Sequence, residues 1–238
     1  GFISGNHTSG DCYWIGGDAH VLQKDDDALF YYDPDVERLV NVMDSVLNLY
    51  YTPGSYIYGA AGDGSHNTEV IEAFDEGRAM MVTCMIGKIE TNLREYAGDY
   101  GILPMPKYDI NQKDYRTCVQ DQVSALMLPC TVPAEKQEMM GALMECLASE
   151  SYKTVVDAYY NTALSYRYLN NPESKIMLDL IYDNIKYDFI QLYDAGFYPA
   201  PNMLLRISLW DDISLTTEYA KNRKMYEKKM EELVDKLF

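Results

Sequence analysis

Residues 69–108 read EVIEAFDEGRAMMVTCMIGKIETNLREYAGDYGILPMPKY, and this stretch decides the fold class. Its first part predicts a short helix from apolar residues at helical spacing: Val70, Ile71, Ala73 and Phe74. Gly77 is expected to end this helix, because glycine readily adopts the positive φ of a helix C-terminus. The nearly continuous apolar run from Ala79 to Met85 then predicts a strand that is covered on both faces.

The second part of this stretch predicts a helix and another strand. Residues Lys88 to Tyr96 have the spacing of a crossover helix, and the chain then runs as a strand into Leu103–Pro104–Met105–Pro106. A strand, helix, strand order implies parallel pairing and an α/β fold. An ordinary crossover without any binding role is the alternative interpretation of the same residues.

The chain on either side of this unit contains further candidate elements. Residues 1–20 are rich in Gly, Ser and Asn and predict a loop, and residues 21–27 predict a strand that ends in a turn. Residues 54–67 predict a long connection, and residues 123–128 a third strand. Asp33–Pro34 is typical of a helix start, and apolar residues follow it at helical spacing: Val36, Leu39, Val40, Met43, Val46, Leu47 and Tyr50.

After Pro133 the chain is predicted to be helical almost to its end. The predicted helices are 134–149, 152–160, 173–192 and 215–238. All but 152–160 carry an apolar stripe that is interpreted as core packing, and the stripe of 134–149 consists of Met140, Leu143, Met144 and Leu147. Residues 1–238 are therefore expected to form one α/β lobe with a helix-rich C-terminal half.

Charge and composition narrow the classes of function. The chain has 20 Lys and Arg against 37 Asp and Glu, which gives a net charge of −17. Such a surface repels phosphate backbones, so nucleic acid is not an expected partner. The chain also has 22 tyrosines. A tyrosine offers an apolar ring and a hydroxyl, which suits both packing and the binding of a polar ligand.

Four segments together resemble the extracellular solute-binding proteins of carbohydrate ABC transporters, in particular Gram-positive lipoproteins. These are the block 69–108, its end YGILPMPKYD at 100–109, ESYKTVVDAYY at 150–160 and ESKIMLD at 173–179. The resemblance implies a fold of the type II periplasmic-binding-protein kind, with two lobes and a solute cleft between them. This chain resembles the second lobe and the C-terminal helices, and the first lobe is expected to be largely absent before Gly1.

The same resemblance implies a function. It predicts a sugar- or oligosaccharide-binding subunit of an importer that closes on its solute and contacts permease subunits. The parent protein is expected to be extracellular and anchored at the cell surface, with a lipid anchor on its N-terminus as its only membrane attachment. A sensing or interaction protein on the same fold and, less favoured, a glycoside hydrolase are the alternatives.

Candidate ligand-binding residues follow from the resemblance. Residues 6–14 are similar to the segment that lines the cleft, which nominates Asp11, Tyr13 and Trp14. Trp14 is predicted either to stack on a sugar ring or to lie in the core, and Asp11 either to accept sugar hydroxyls or to be a solvated turn carboxylate. The turn Met85–Ile86–Gly87 lies where relatives place an aromatic residue against the ligand, so its aliphatic pair departs from the family pattern and implies either a different sugar contact or none. Tyr159 and Tyr160 are predicted to face either the cleft or the packed interior.

The sequence also bears on whether the protein is an enzyme. His7, His20 and His66 lack the spacing of a zinc site, and GxSxG, P-loop and GxGxxG motifs are absent from the sequence. No pair of carboxylates stands out among 37 acidic residues. We therefore expect a binding protein that is not an enzyme and that has no metal and no cofactor.

Overall fold

The computed structural model describes residues 1–5, 10–26, 29–58, 67–94, 96, 98–119, 126–160, 172–193 and 196–237. The strands are β1 (Phe2–Gly5), β2 (Leu22–Lys24), β3 (Phe30–Tyr32), β4 (Ser55–Tyr58), β5 (Met81–Val82), β6 (Thr117–Cys118) and β7 (Ile185–Lys186). The first five helices are α1 (Asp11–Gly16), α2 (Val36–Tyr50), α3 (Asn67–Asp75), α4 (Gly87–Thr91) and α5 (Ala134–Ser151). The last four are α6 (Pro172–Asp183), α7 (Phe189–Tyr193), α8 (Pro201–Ser208) and α9 (Leu215–Leu237).

The main sheet is parallel and has β1 at its centre, in the order β4–β1–β5. Phe2 pairs with Ser55 on one side and with Met81 on the other. The α/β class predicted from the sequence is therefore confirmed. The predictions of a loop at 1–20 and of a plain connection at 54–67 were wrong, because β1 and β4 lie there. Short strands among Gly, Ser and Tyr gave no periodicity to detect.

The predicted strand from Ala79 to Met85 is much shorter in the structure, where only Met81 and Val82 pair. It lies at the edge of the sheet, and the side chains of Met80 and Met81 are 75% and 50% exposed. The prediction of cover on both faces was therefore wrong. The crossover also differs, since α4 ends at Thr91 and residues 101–107 form no strand. An apolar run indicates that its residues are suited to burial, but whether they are buried depends on other elements that cover them in the folded chain.

Gly77 ends α3 as the sequence predicted. Its φ is +73°, in the region that favours glycine. The Gly77 amide donates to the Phe74 carbonyl at 2.9 Å, and the Arg78 amide donates to the Ala73 carbonyl at 2.9 Å. These bonds satisfy carbonyls that would otherwise be left without partners at the end of the helix.

The largest core lies between α1, α2, the β2–β3 hairpin, α8 and α9. The predicted stripe of α2 is largely confirmed: Leu39, Met43, Val46 and Tyr50 are buried, together with Val42. Asp35, and not Asp33, caps this helix by accepting the Arg38 amide at 3.1 Å. Tyr219 and Tyr226 of α9 are buried in the same core. The Tyr219 hydroxyl donates to the Pro201 carbonyl, at the start of α8, at 3.0 Å. The Tyr226 hydroxyl donates to the Pro199 carbonyl, just before α8, at 2.7 Å.

The helices of the C-terminal half form largely where they were predicted, but their packing differs. α5 continues through a π-helical turn, Tyr152–Val156, and no residue of α5 is buried. The predicted helix 173–192 is split at Asn184, where the chain pairs as β7 with β6 before α7 begins. The predicted strand 123–128 lies partly outside the described residues, and 126–128 form no strand.

Gln112 ties the segment between β5 and β6 to the end of α1. Its side-chain amide donates to the carbonyls of Gly16 at 2.8 Å and Asp114 at 2.9 Å. Its oxygen accepts the Tyr108 amide at 2.8 Å and Arg38 Nη2 at 3.3 Å. All four hydrogen-bonding positions of this buried amide are thus used.

We expect Gln112→Leu to lower the free energy of unfolding by about 1–3 kcal/mol, because it leaves buried backbone groups without partners. Urea denaturation measures this change. Gln137 is the matched control, because it is exposed and makes one bond of 3.3 Å. Equal effects of Gln112→Leu and Gln137→Leu would contradict the role assigned to Gln112.

Candidate functional site

The carboxyl ends of the three parallel strands define one edge of the main sheet. β1 ends at Gly5, β4 at Tyr58 and β5 at Val82. In open α/β sheets, ligands bind outside this edge, at the point where the strand order reverses. Of the three strands in this sheet, β1 comes first in the chain and lies between the two later ones, β4 and β5. The strand order therefore reverses between β1 and β5. Of the segments that leave these strands, 6–9 and 59–66 lie outside the described residues, and 83–86 is described.

Asp11, at the start of α1, is held in a buried ion pair. Arg206 Nε donates to Asp11 Oδ1 at 2.8 Å, and a second guanidinium nitrogen donates to Oδ2. Gln191 Nε2 also donates to Oδ2 at 3.1 Å. Asp11 is 3% exposed and Arg206 4%. The structure thus gives Asp11 neither of the two roles that the sequence left open, and ties α1 to α7 and α8 instead.

Sequence reasoning missed Arg206 and Gln191. The signal for Arg206 was a single cation within the apolar run MLLRISLW of α8. An Arg that is buried needs an anionic partner, so this pattern indicates an ion pair. Nothing in the sequence indicates that the partner is Asp11, which lies 195 positions away.

Trp14 and Tyr13 both belong to the main core. Trp14 is 1% exposed, which corresponds to the core alternative left open for it. Tyr13 is 8% exposed, its ring meets Tyr50 edge-on at 6.0 Å, and its hydroxyl lies 3.0 Å from Thr83 Oγ1. Burial raises the pKa of Tyr13, so its phenol stays protonated. Tyr13 therefore lies beneath the residues that follow β5, and supports them by one hydrogen bond.

Met85, by contrast, is at the surface. It lies three residues beyond β5, at the carboxyl edge, and is 41% exposed. The next residue, Ile86, is partly buried in a second, smaller apolar cluster that includes Ile89, Tyr100 and Leu178. In the turn that follows β5, the Met85 side chain is therefore exposed to solvent, whereas the Ile86 side chain packs in a cluster that contains tyrosine rings.

Tyr159 and Tyr160 join that same cluster from the far end of the helical segment that begins with α5. Their ring centroids are 5.6 Å apart, and Tyr160 lies 4.5 Å from the ring of Tyr182 in α6. Tyr100 extends the group towards Tyr96, at 5.7 Å. We call these five residues the tyrosine patch: Tyr96, Tyr100, Tyr159, Tyr160 and Tyr182.

The patch combines apolar ring faces with phenolic hydroxyls. Burial raises the pKa of Tyr160, and the neighbouring phenols of Tyr159 and Tyr182 raise it further. Burial and then the Glu90 carboxylate raise the pKa of Tyr159. At neutral pH the two phenols can therefore both donate and accept hydrogen bonds. Rings with hydroxyls of this kind suit a ligand that has an apolar face and polar edges.

A separate cavity of about 470 Å³ lies between α2 and the turn that joins α8 to α9. Its lining includes apolar residues, an indole and three carboxylates: Met43, Leu47, Trp210, Asp44, Asp211 and Asp212. None of the residues predicted to bind ligand lines it. The cavity is therefore an alternative ligand site, and variants in it serve as controls for variants in the tyrosine patch.

The part of the chain that the structure describes contains no group of three or more His, Cys, Asp and Glu side chains arranged to hold a metal ion. No helix among the described residues is both long enough and apolar enough to cross a membrane.

Comparison with models of protein families, with curated proteins and with solved structures finds no match to this chain.

Proposed function

We propose that this chain is the second lobe, with its C-terminal helices, of the sugar-binding subunit of a carbohydrate ABC importer. In this proposal the fold is that of a type II periplasmic binding protein, and the protein acts by closing on its ligand. The permease then distinguishes the closed, loaded form from the open form. The parent protein works outside the cell, attached at its surface by a lipid.

The observation that carries the proposal is that the turn after β5, which contains Met85, and the pair Tyr159 and Tyr160 lie at one apolar cluster, to which Ile86 of that turn belongs. Ile86 precedes Tyr159 by more than 70 positions in the sequence, and it follows the carboxyl end of β5 by four residues. That edge is where a sheet of this strand order accommodates a small ligand. Of the six residues that the family resemblance nominated, these three lie nearest the surface, whereas Asp11, Tyr13 and Trp14 are buried.

Sugar recognition needs flat apolar surface for the pyranose face and hydrogen-bonding groups for the hydroxyls. The tyrosine patch supplies both from the same side chains. Because the raised pKa values of Tyr159 and Tyr160 keep these two phenols neutral, they can bind an uncharged ligand without the desolvation penalty of a buried ion. The acidic balance of the chain, −17, likewise favours a neutral solute over an anionic one.

The first test is a screen of mono- and oligosaccharides by thermal shift and ligand-observed NMR. A sugar at about 100 times its Kd should stabilise the protein by about 2.7 kcal/mol. Polyols without a ring serve as controls for non-specific stabilisation. A screen in which no carbohydrate raises the Tm or shows saturation transfer would contradict the sugar-binding proposal.

The second test locates the site. We expect Tyr159→Ala and Tyr160→Ala each to weaken binding of the sugar found in the screen by about 1–3 kcal/mol, as truncation of an aromatic anchor does. Calorimetric titration measures the loss. Trp210→Ala, in the separate cavity, and Tyr198→Ala, 91% exposed, are the matched aromatic controls. Weakened binding in Trp210→Ala with unchanged binding in both patch variants would move the site to the cavity.

A further inference from the structure

One face of α5 carries an apolar stripe that the described part of the fold leaves largely exposed. Met139 is 61% exposed, Leu143 50% and Leu147 52%, and no residue of the helix is buried. Met140 and Cys146 complete the stripe, which is spaced three and four residues apart. We call these five residues the α5 stripe. Its heptad-like spacing is that of a helix that packs along a second helix.

Two opposite charges lie at the ends of this stripe, at equal distances from its centre. Lys136 precedes Leu143 by seven residues, and Glu150 follows it by seven. Seven residues make nearly two whole turns, so the three side chains lie along one line of the helix. The other acidic residues of α5 lie off this line: Glu135, Glu138 and Glu145.

This symmetry selects one partner and one orientation. In an antiparallel pair of two such helices, with the two-fold axis beside Leu143, Lys136 of each copy faces Glu150 of the other. Met139 then faces Leu147, and Met140 faces Cys146. A parallel pair would place Lys136 against Lys136 and Glu150 against Glu150, which like-charge repulsion disfavours. A two-fold interface uses the same surface on both subunits, as this stripe requires.

We propose that α5 is the dimer interface of this chain, and that two copies pair antiparallel through the α5 stripe with Leu143 at the two-fold axis. Glu150 also has a partner within its own chain, Lys153 Nζ at 3.0 Å, with both side chains about 60% exposed. A pair so exposed is weak, so Glu150 can also accept Lys136 of the second copy. Each end of the interface then carries a small network of one carboxylate and two cations.

The size and charge of the interface set its strength. A helix of 18 residues is about 27 Å long. Contact between two such helices is small beside the standard interface of about 1,600 Å², so the dimer dissociates on dilution. The net charge of −17 on each copy opposes association. Dimerisation should therefore be measured at about 0.15 M salt, where the repulsion between charges more than about 8 Å apart is largely screened.

Sedimentation velocity over a range of protein concentrations tests association. The natural sequence should shift from monomer to dimer as concentration rises, and Leu143→Lys should abolish that shift. Leu126→Lys is the control, since Leu126 is 65% exposed but lies outside the helix. Far-UV circular dichroism verifies that both variants keep their helix content. A natural sequence that stays monomeric at every concentration would overturn the proposal.

A charge exchange tests the orientation. Lys136→Glu and Glu150→Lys should each raise the dimer Kd by about tenfold, since each creates two repulsive contacts per dimer. The double variant restores opposite charges across the interface and should return the Kd to that of the natural sequence. Additive weakening in the double variant would overturn the antiparallel register.

Cross-linking tests the axis itself. Leu143→Cys, in a protein whose exposed Cys84, Cys130 and Cys146 are changed to Ser, brings two thiols together at the two-fold axis. Mild oxidation should then yield a disulfide-linked dimer, because Cα atoms within about 7 Å can be bridged. Glu138→Cys in the same background, off the line of Leu143, should form no disulfide-linked dimer. Equal cross-linking of the two variants, or none of Leu143→Cys, would overturn the proposed axis.

Discussion

Arg206→Met is expected to lower the free energy of unfolding by about 3–5 kcal/mol, because it leaves the Asp11 carboxylate buried without its cationic partner. Arg206 is 4% exposed and donates through two nitrogens to Asp11. Gln191 Nε2 donates to the same carboxylate, but it brings no charge. Urea denaturation followed by circular dichroism measures the loss. A change below about 1 kcal/mol would contradict the structure at this ion pair.

Two comparisons isolate the cause. Removing both charges, in Arg206→Met with Asp11→Leu, should be much less destabilising than Arg206→Met alone, because no uncompensated charge remains buried. Arg223→Met is the control for loss of an arginine as such. Arg223 bonds Glu227 at 2.7 Å and lies 3.7 Å from Asp33, but all three side chains are at least 40% exposed, so the change should be far less destabilising than Arg206→Met.

The second large effect is expected at Trp14. Its indole is 1% exposed in the main core, so Trp14→Ala should lower the free energy of unfolding by about 3–5 kcal/mol. The cavity left by the ring accounts for much of this loss, because the surrounding helices relax only partly. Denaturant titration gives the stability, and calorimetry of the same variant with a bound sugar gives the affinity.

The chain has a second tryptophan that serves as a matched control. Trp210 is only partly buried, at the turn after α8, so Trp210→Ala should destabilise the fold less than Trp14→Ala. If Trp14→Ala leaves stability unchanged and weakens sugar binding, the stacking interpretation of Trp14 is correct and its core position is not.

The buried Asp11–Arg206 ion pair and the buried Trp14 indole both support the proposed function by positioning residues and not by contacting the ligand. Asp11 of the ion pair and Trp14 both lie in α1, the first helix after the central strand β1. The ion pair and the indole therefore fix α1 in the main core. Side chains that position a ligand site are expected to be buried and paired, and those that contact the ligand to be partly exposed, as Met85 is.

Local sequence patterns determined several elements of this protein. The α2 helix and the end of α3 at Gly77 follow from spacing and from glycine chemistry within a few residues, and the structure has both. The last helix also follows, since Tyr219, Tyr226 and Met230 are buried at the predicted spacing. Helical periodicity is a property of neighbouring residues, so one sequence suffices to detect it.

Other features were decided only by tertiary structure. The central strand β1 has four residues and no usable periodicity, and it exists because β4 and β5 pair with it from both sides. The apolar residues Met140, Leu143, Met144 and Leu147 of α5 were predicted to be core, but none of them is buried, because periodicity shows which face is apolar and does not provide the element that covers it. Asp11 and Arg206 are 195 positions apart in the sequence, and only the folded chain brings their charges together.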